Sequence, residues 1–288
     1  MGEAAYTIGE WASADGLTLR YRDYAGRIDR PPVLCIPGLT RNARDFEPVA
    51  EALTGQWRVI CADLRGRAMS DYARDSASYQ PGQYTADVLA LLDHLGLPRV
   101  VAVGTSLGGI VTMLLALLAP ERLAGVVLND IGPQVEAAGL ARIRGYVGQG
   151  RSFPTWMHAA RGLREQGGVA YPDFTLADWL RLAKRLMAVG PGGRIAFDYD
   201  MKIAEPFQAP AGAAPEFDMW PAFRALAGRP LLAVRGELSD ILSAVTLERM
   251  AREVAGLETV TVPRTGHAPT LEEPVACEAI ARLLARVE

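Results

Sequence analysis

The sequence predicts an α/β fold: a mainly parallel β-sheet flanked by helices, interrupted once by a helical insertion. Two observations predict it. Short apolar, β-branched runs such as PVLCI and VVAV alternate along the chain with longer segments of helical period. That alternation is the signature of parallel strands joined by helices on both sheet faces. Between residues 134 and 216 the alternation stops, helix-like segments follow one another, and strands resume only afterwards.

In chain order, YTIGEWASADGLTLRYRDYAG alternates polar and apolar residues about Asp15-Gly16 and reads as an opening antiparallel hairpin. PVLCIPG is a short apolar strand, Asp45 to Leu53 a helix, WRVICADLRG a strand, and Tyr84 to Leu95 an amphipathic helix closed by Gly96 and Pro98. VVAVGTS is the next strand, its helix runs to Ala119 before Pro120, and LAGVVLNDIGP is a further strand. The insertion contains three helix-like segments, AGLARIRGYVG, TWMHAARGLREQG and TLADWLRLAKRLMAVG, with no strong strand between them. AEPFQAPAGAAPE, rich in Pro, Gly and Ala, reads as a connector. Then come helix MWPAFRALAG, strand RPLLAVRGE, helix VTLERMAREVAG, strand ETVTVP and final helix EPVACEAIARLLARV. Residues 1–133 and 217–288 are thus expected to build one core, and 134–216 a helical cap.

Composition narrows the function classes. Half of the 288 residues are hydrophobic and 22% charged, the balance of a packed globular protein. A net charge of −3 without a basic run argues against nucleic acid as a partner. The apolar run from Ile110 to Ala119 is too short to span a bilayer, so no membrane partner is expected. The opening residues lack a positive n-region and an apolar h-region, which suggests a cytoplasmic protein. Cys35, Cys61 and Cys277 have no metal-type spacing and read as buried free thiols. With no H-E-x-x-H, cysteine cluster or P-loop lysine, neither metal nor organic cofactor is expected, and the partner is a small-molecule substrate. The oligomeric expectation is a monomer or homodimer.

Gly104-Thr105-Ser106-Leu107-Gly108 matches G-x-S-x-G where a strand gives way to a helix. Glycines there permit a sharp bend that displays the serine hydroxyl above the sheet. A serine is a weak nucleophile near neutral pH and needs a base and an acid. Of the three histidines, His94 lies near a helix end, His158 lies in the insertion, and His267 stands in VPRTGHAPTLEEP after the last strand. Loops at the carboxyl ends of strands gather the chemistry of open α/β sheets, which singles out His267. For the acid, Asp130 in VLNDIGP and Asp240 in GELSDIL both follow strands on that edge. The reading prefers Asp240 and leaves Asp130 open. Asp63 is expected to form a structural ion pair with Arg65 or Arg67 instead.

Five stretches resemble the α/β-hydrolase superfamily, in particular its capped, esterase-type serine hydrolases, and occur in that family's order. CIPGLTRNARDF resembles the oxyanion loop, DLRGRAMSD the stretch after the next strand, GTSLGG the nucleophile elbow, GELSDIL the acid turn and TGHAPTLEEP the histidine loop. The resemblance implies Ser106 as nucleophile, His267 as general base and then acid, and Asp240 as the group orienting His267. It implies an oxyanion hole made by the backbone N–H groups of Leu39 and Leu107. Pro37-Gly38 stands where many relatives have His-Gly, a change that bears on substrate positioning rather than on the donors.

The implied reaction is hydrolysis of a carboxylic ester or lactone of a small, largely apolar substrate through an acyl-enzyme. The alternatives within the superfamily are a carbon–carbon bond hydrolase of a ring-cleavage diketone and a non-catalytic ligand-binding member. Phe153, Trp156, Met157, Trp179 and Met187 are candidates for an apolar wall under the cap, and Arg142, Arg144 and Arg161 for carboxylate contacts, with packing and solvated helix faces as the plainer readings.

Overall fold

The computed structural model of the chain describes residues 6–208 and 218–287. An eight-stranded sheet organises them in the order β1-β2-β4-β3-β5-β6-β10-β11. β1 (Thr7–Ala12) and β2 (Thr18–Tyr24) form the expected antiparallel hairpin. From β3 (Val33–Ile36) through β4 (Val59–Asp63), β5 (Val100–Thr105) and β6 (Leu123–Asn129), neighbouring strands run parallel. Helices α1 (Glu47–Leu53), α2 (Pro81–His94) and α3 (Leu107–Leu118) connect them.

The period-two pattern of the strands divides the sheet between two apolar layers. Leu34, Ile36, Ala102 and Val126 pack with Val88, Leu91, Val111 and Leu115 of α2 and α3. Val33, Cys35, Val101, Val103 and Val127 face the other way, onto Val49 and Ala50 of α1 and the last helix. Strands buried on both faces have no polar alternation, which is why these runs read as continuous hydrophobics.

After β6 the chain builds α4 (Ala137–Arg144), β7 (Ser152–Phe153), α5 (Trp156–Gly167), α6 (Leu176–Leu186), β8 (Met187–Val189), β9 (Ile195–Phe197) and α7 (Ala204–Gln208). The order β7-β9-β8 forms a small antiparallel sheet that sequence analysis did not find. Its strands are two or three residues long, too short to show alternation. α5, α6 and β9 share a separate core around Trp179, Leu182 and Ile195. Tyr171 and Phe174 stack at 4.6 Å with Trp179 edge-on to both.

The first residues of the Pro/Gly/Ala-rich connector lie in α7, and 209–216 fall outside the described residues. α8 (Trp220–Arg224), β10 (Leu231–Gly236), α9 (Ala244–Glu253), β11 (Leu257–Val262) and α10 (Pro274–Leu284) complete the alternation. α2 starts at Pro81, three residues before the expected Tyr84, because proline suits the first turn of a helix, where an N–H has no partner to lose. Among the described residues no helix is long and apolar enough to cross a membrane. Cys35 and Cys61 are buried as expected, whereas Cys277 is exposed on α10.

Candidate active site

Ser106 occupies the one-residue corner between β5 and α3, with φ +51°. Two residues to either side of it, only glycine fits. A Cβ on Gly108 would stand 1.9 Å from the Ile36 carbonyl oxygen, and one on Gly104 2.4 Å from that of Gly108. The Ser106 amide donates to Asn129 O at 3.0 Å, which ties the corner to the end of β6. Ser106 thus stands above the carboxyl edge of the sheet at the head of a twelve-residue helix.

His267 lies in the loop between β11 and α10. Its Nε2 is 2.9 Å from Ser106 Oγ, and its Nδ1 2.7 Å from Asp130 Oδ2. Asp130 is fully buried, and its carboxylate also accepts from Gly236 N at 2.8 Å and Ser239 Oγ at 2.6 Å. The loop carrying His267 is itself held by the inserted segment. Gly266 N donates to Ala170 O at 2.6 Å, and the Tyr171 hydroxyl to Ala268 O at 2.7 Å.

The expectation that Asp240 reaches His267 is therefore corrected. Asp240 accepts two hydrogen bonds from Arg142 of α4, at 2.5 and 2.7 Å, and these hold its carboxyl below the usual carboxylate range. The physical reason is local. Asp130 follows the last residue of β6 with φ +53°, its amide still bonds Val234 O of β10 at 2.7 Å, and its carboxylate reaches His267. In the turn after β10 the inward place belongs to Ser239, and Asp240, one residue on, meets α4. An acid directly ending a fully buried strand was the signal in the sequence, and chain order could not separate it from Asp240.

Asp63 corrects a second expectation. Its Oδ1 accepts from Ala43 N at 2.7 Å, and burial pushes its carboxyl up to about 6. Arg65 instead bonds Asp87 at 2.6 Å and Asp15 at 2.8 Å. Arg67, fully buried against the Tyr84 ring, donates to Leu39 O at 3.1 and 2.9 Å. Sequence reasoning missed this role for Arg67 in anchoring the residue that follows Gly38. The Leu107 amide opens α3, where helix N–H groups present partial positive charge.

Two cavities meet this constellation. One, of about 300 Å³, is lined by Ser106, Leu39, Leu107, Ile110, Ile131 and Ile143, with no charged side chain in its wall. The other, of about 90 Å³, is lined by His267, Thr40, Arg41, Arg142, Tyr146 and Tyr171, backed by Trp179 and neighbouring apolar residues. Of the five wall candidates, only Trp179 borders either cavity; Val135, Leu140, Ile143, Ile203 and Pro206 supply the inserted segment's share of the larger one. His94 and His158 are exposed, the latter bonded to Thr155 Oγ1 at 2.8 Å. Arg161 is exposed on α5. Among the described residues no three His, Cys, Asp or Glu side chains gather as a metal site would require.

The profile of the alpha/beta hydrolase fold family matches residues 31–174. A 3-hydroxybutyrate-oligomer hydrolase of Cupriavidus necator is 33% identical over 262 residues, 89% of each chain. A 2-(acetamidomethylene)succinate hydrolase of Mesorhizobium japonicum is 27% identical, covering 82% of this chain and 81% of its own. The crystal structure of an alpha/beta hydrolase from Novosphingobium aromaticivorans superposes with a TM-score of 0.95 at 62% identity, covering 99% of this chain and 100% of that one.

Proposed function

Since the chain belongs to the α/β-hydrolase superfamily and is a hydrolase, we propose that it cleaves a carboxylic ester through an acyl-enzyme on Ser106, with His267 as general base and acid and Asp130 as the orienting acid. The observation that carries this reading is the unbroken hydrogen-bond chain from Ser106 through His267 to Asp130, opening into an uncharged cavity. The likeness to a hydrolase of 3-hydroxybutyrate oligomers favours an ester of a hydroxy acid as substrate.

In the first half-reaction His267 Nε2 takes the Ser106 proton while Oγ attacks the ester carbonyl carbon. The N–H groups of Leu39 and Leu107 receive the oxyanion. The carbon–oxygen bond then breaks, and the alcohol oxygen leaves with the proton held at Nε2. Water, deprotonated by the same nitrogen, attacks the acyl-enzyme and releases the acid and free Ser106. Asp130 fixes the Nδ1–H tautomer and offsets the imidazolium charge. The described residues of 134–208 serve as a cap that walls the acyl cavity and keeps bulk water from the intermediate.

Burst kinetics with p-nitrophenyl esters of graded acyl length test this reading. The expected result is a burst stoichiometric with enzyme, lost in Ser106→Ala, with an optimum at short acyl chains that fill the larger cavity. Ester turnover that survives Ser106→Ala would refute it.

A further inference from the structure

We infer that the smaller cavity is the leaving-group pocket and that Arg41 in it selects an alcohol bearing a carboxylate. This inference rests on the acyl-enzyme reading above. Proton delivery sets the geometry: the alcohol oxygen must depart next to His267 Nε2, so the alcohol portion lies on the His267 side of the scissile bond and the acyl portion on the Ser106 side. The two cavities divide in the same way. The one bordered by Ser106 has no charged side chain in its wall, and the one bordered by His267 holds Arg41, Arg142, Tyr146 and Tyr171 and no carboxylate.

Arg41 is near the reacting centre. A Cβ built on Gly38 would lie 3.3 Å from Arg41 Cγ and 3.7 Å from Ser106 Cβ, so the arginine stem and the nucleophile flank the same glycine. Its guanidinium meets Asp45 through one nitrogen, Nη1, at 2.9 Å, and the Tyr171 hydroxyl also lies against it, so that of its five N–H groups some are left for a ligand. Arg142 differs, because its Nε and Nη2 are both engaged by Asp240, so the direct contact is assigned to Arg41. A part-buried ion pair adds little stability over apolar packing, whereas a guanidinium with spare donors in the cavity that His267 borders fits a carboxylate in bidentate fashion.

A matched pair of butanoate esters tests the assignment. One is the ester of 3-hydroxybutanoate. The other is that of 4-methylpentan-2-ol, in which an isopropyl group replaces the carboxylate. Butanoate release gives kcat/KM for each, and their ratio is independent of the fraction of folded enzyme. The unaltered protein is expected to prefer the acid ester by roughly tenfold or more, the yield of one charge-assisted hydrogen bond. In Arg41→Met the ratio should fall by at least that factor, mainly through KM, with partial recovery in Arg41→Lys. A ratio near one in the unaltered protein, or a ratio retained in Arg41→Met, overturns the inference, as does turnover of p-nitrophenyl butanoate with neither matched ester cleaved. Absence of Ser106-dependent turnover on the p-nitrophenyl esters marks failure of the acyl-enzyme reading instead.

Discussion

Asp130 and Asp240 show how a carboxylate's environment decides which partner it takes. Asp130 is fully buried and satisfied by Gly236 N, Ser239 Oγ and His267 Nδ1. Asp240 is about one-third exposed and paired with a surface arginine. Asp130→Asn is expected to lower kcat on a p-nitrophenyl ester by about 10³- to 10⁴-fold, since an amide holds the wrong imidazole tautomer. Asp240→Asn should cost less than about tenfold, because it loses only a partly exposed ion pair. Equal losses would sink the assignment of Asp130. Asp63 offers a residue-scale test in stability. Between about pH 4 and 6 the native chain keeps a proton there that the unfolded chain releases, so stability contributed at this site falls as pH rises, by on the order of 3 kcal/mol in total. Asp63→Asn should therefore flatten that part of the profile and raise denaturant midpoints at pH 7 relative to pH 4; an unchanged pH profile would count against it.

At the level of elements, the corner between β5 and α3 works because strand β3 and the first turn of α3 come into backbone contact. Gly108→Ala places a methyl carbon 1.9 Å from the Ile36 carbonyl oxygen, so the helix must shift from the strand. A destabilisation of about 3 kcal/mol is expected, with loss of ester turnover as Ser106 and the Leu107 amide move. Gly82 in the first turn of α2 provides the contrast, since a Cβ there meets nothing within 4 Å. Gly82→Ala should stabilise by about 0.5–1 kcal/mol through helix propensity. Chemical denaturation of both variants checks the pair. The strand-to-helix corner was legible in the sequence because its glycines carry a steric meaning, whereas β7, β8 and β9 were not, being held by pairing between short distant segments.

Across the whole molecule, the inserted segment has a core of its own yet is bonded to the sheet edge that carries Ser106 and His267. Arg44 donates to Arg185 O at 2.9 Å and Asp198 at 2.7 Å, and Tyr79 donates to Asp200 at 2.7 Å. The contacts of Ala170 and Tyr171 with the His267 loop make the insertion a support of the site as well as a wall. Trp179→Ala, at the centre of the separate cluster, is expected to cost about 3–5 kcal/mol locally. Hydrogen exchange should then rise in α5 and α6 while β3, β5 and β6 stay protected, and kcat should fall because His267 loses its anchor. Uniform exchange across both regions would show that the insertion does not open by itself.

The sequence by itself determined the alternation of strands and helices and the placement of a serine and a histidine at strand ends, because each is written in local period, glycine placement and position at a strand end. Tertiary structure alone decided which aspartate lies beneath His267, where Arg65 and Arg67 bond, and how an uncharged cavity and one lined by Arg41 and Arg142 divide around the serine–histidine pair. Those outcomes depend on the direction in which side chains leave turns at the sheet edge. Asp130 and Asp240 carry the same chemistry in the chain, and only the backbone turn at Asp130 and the neighbouring Ser239 separate their fates.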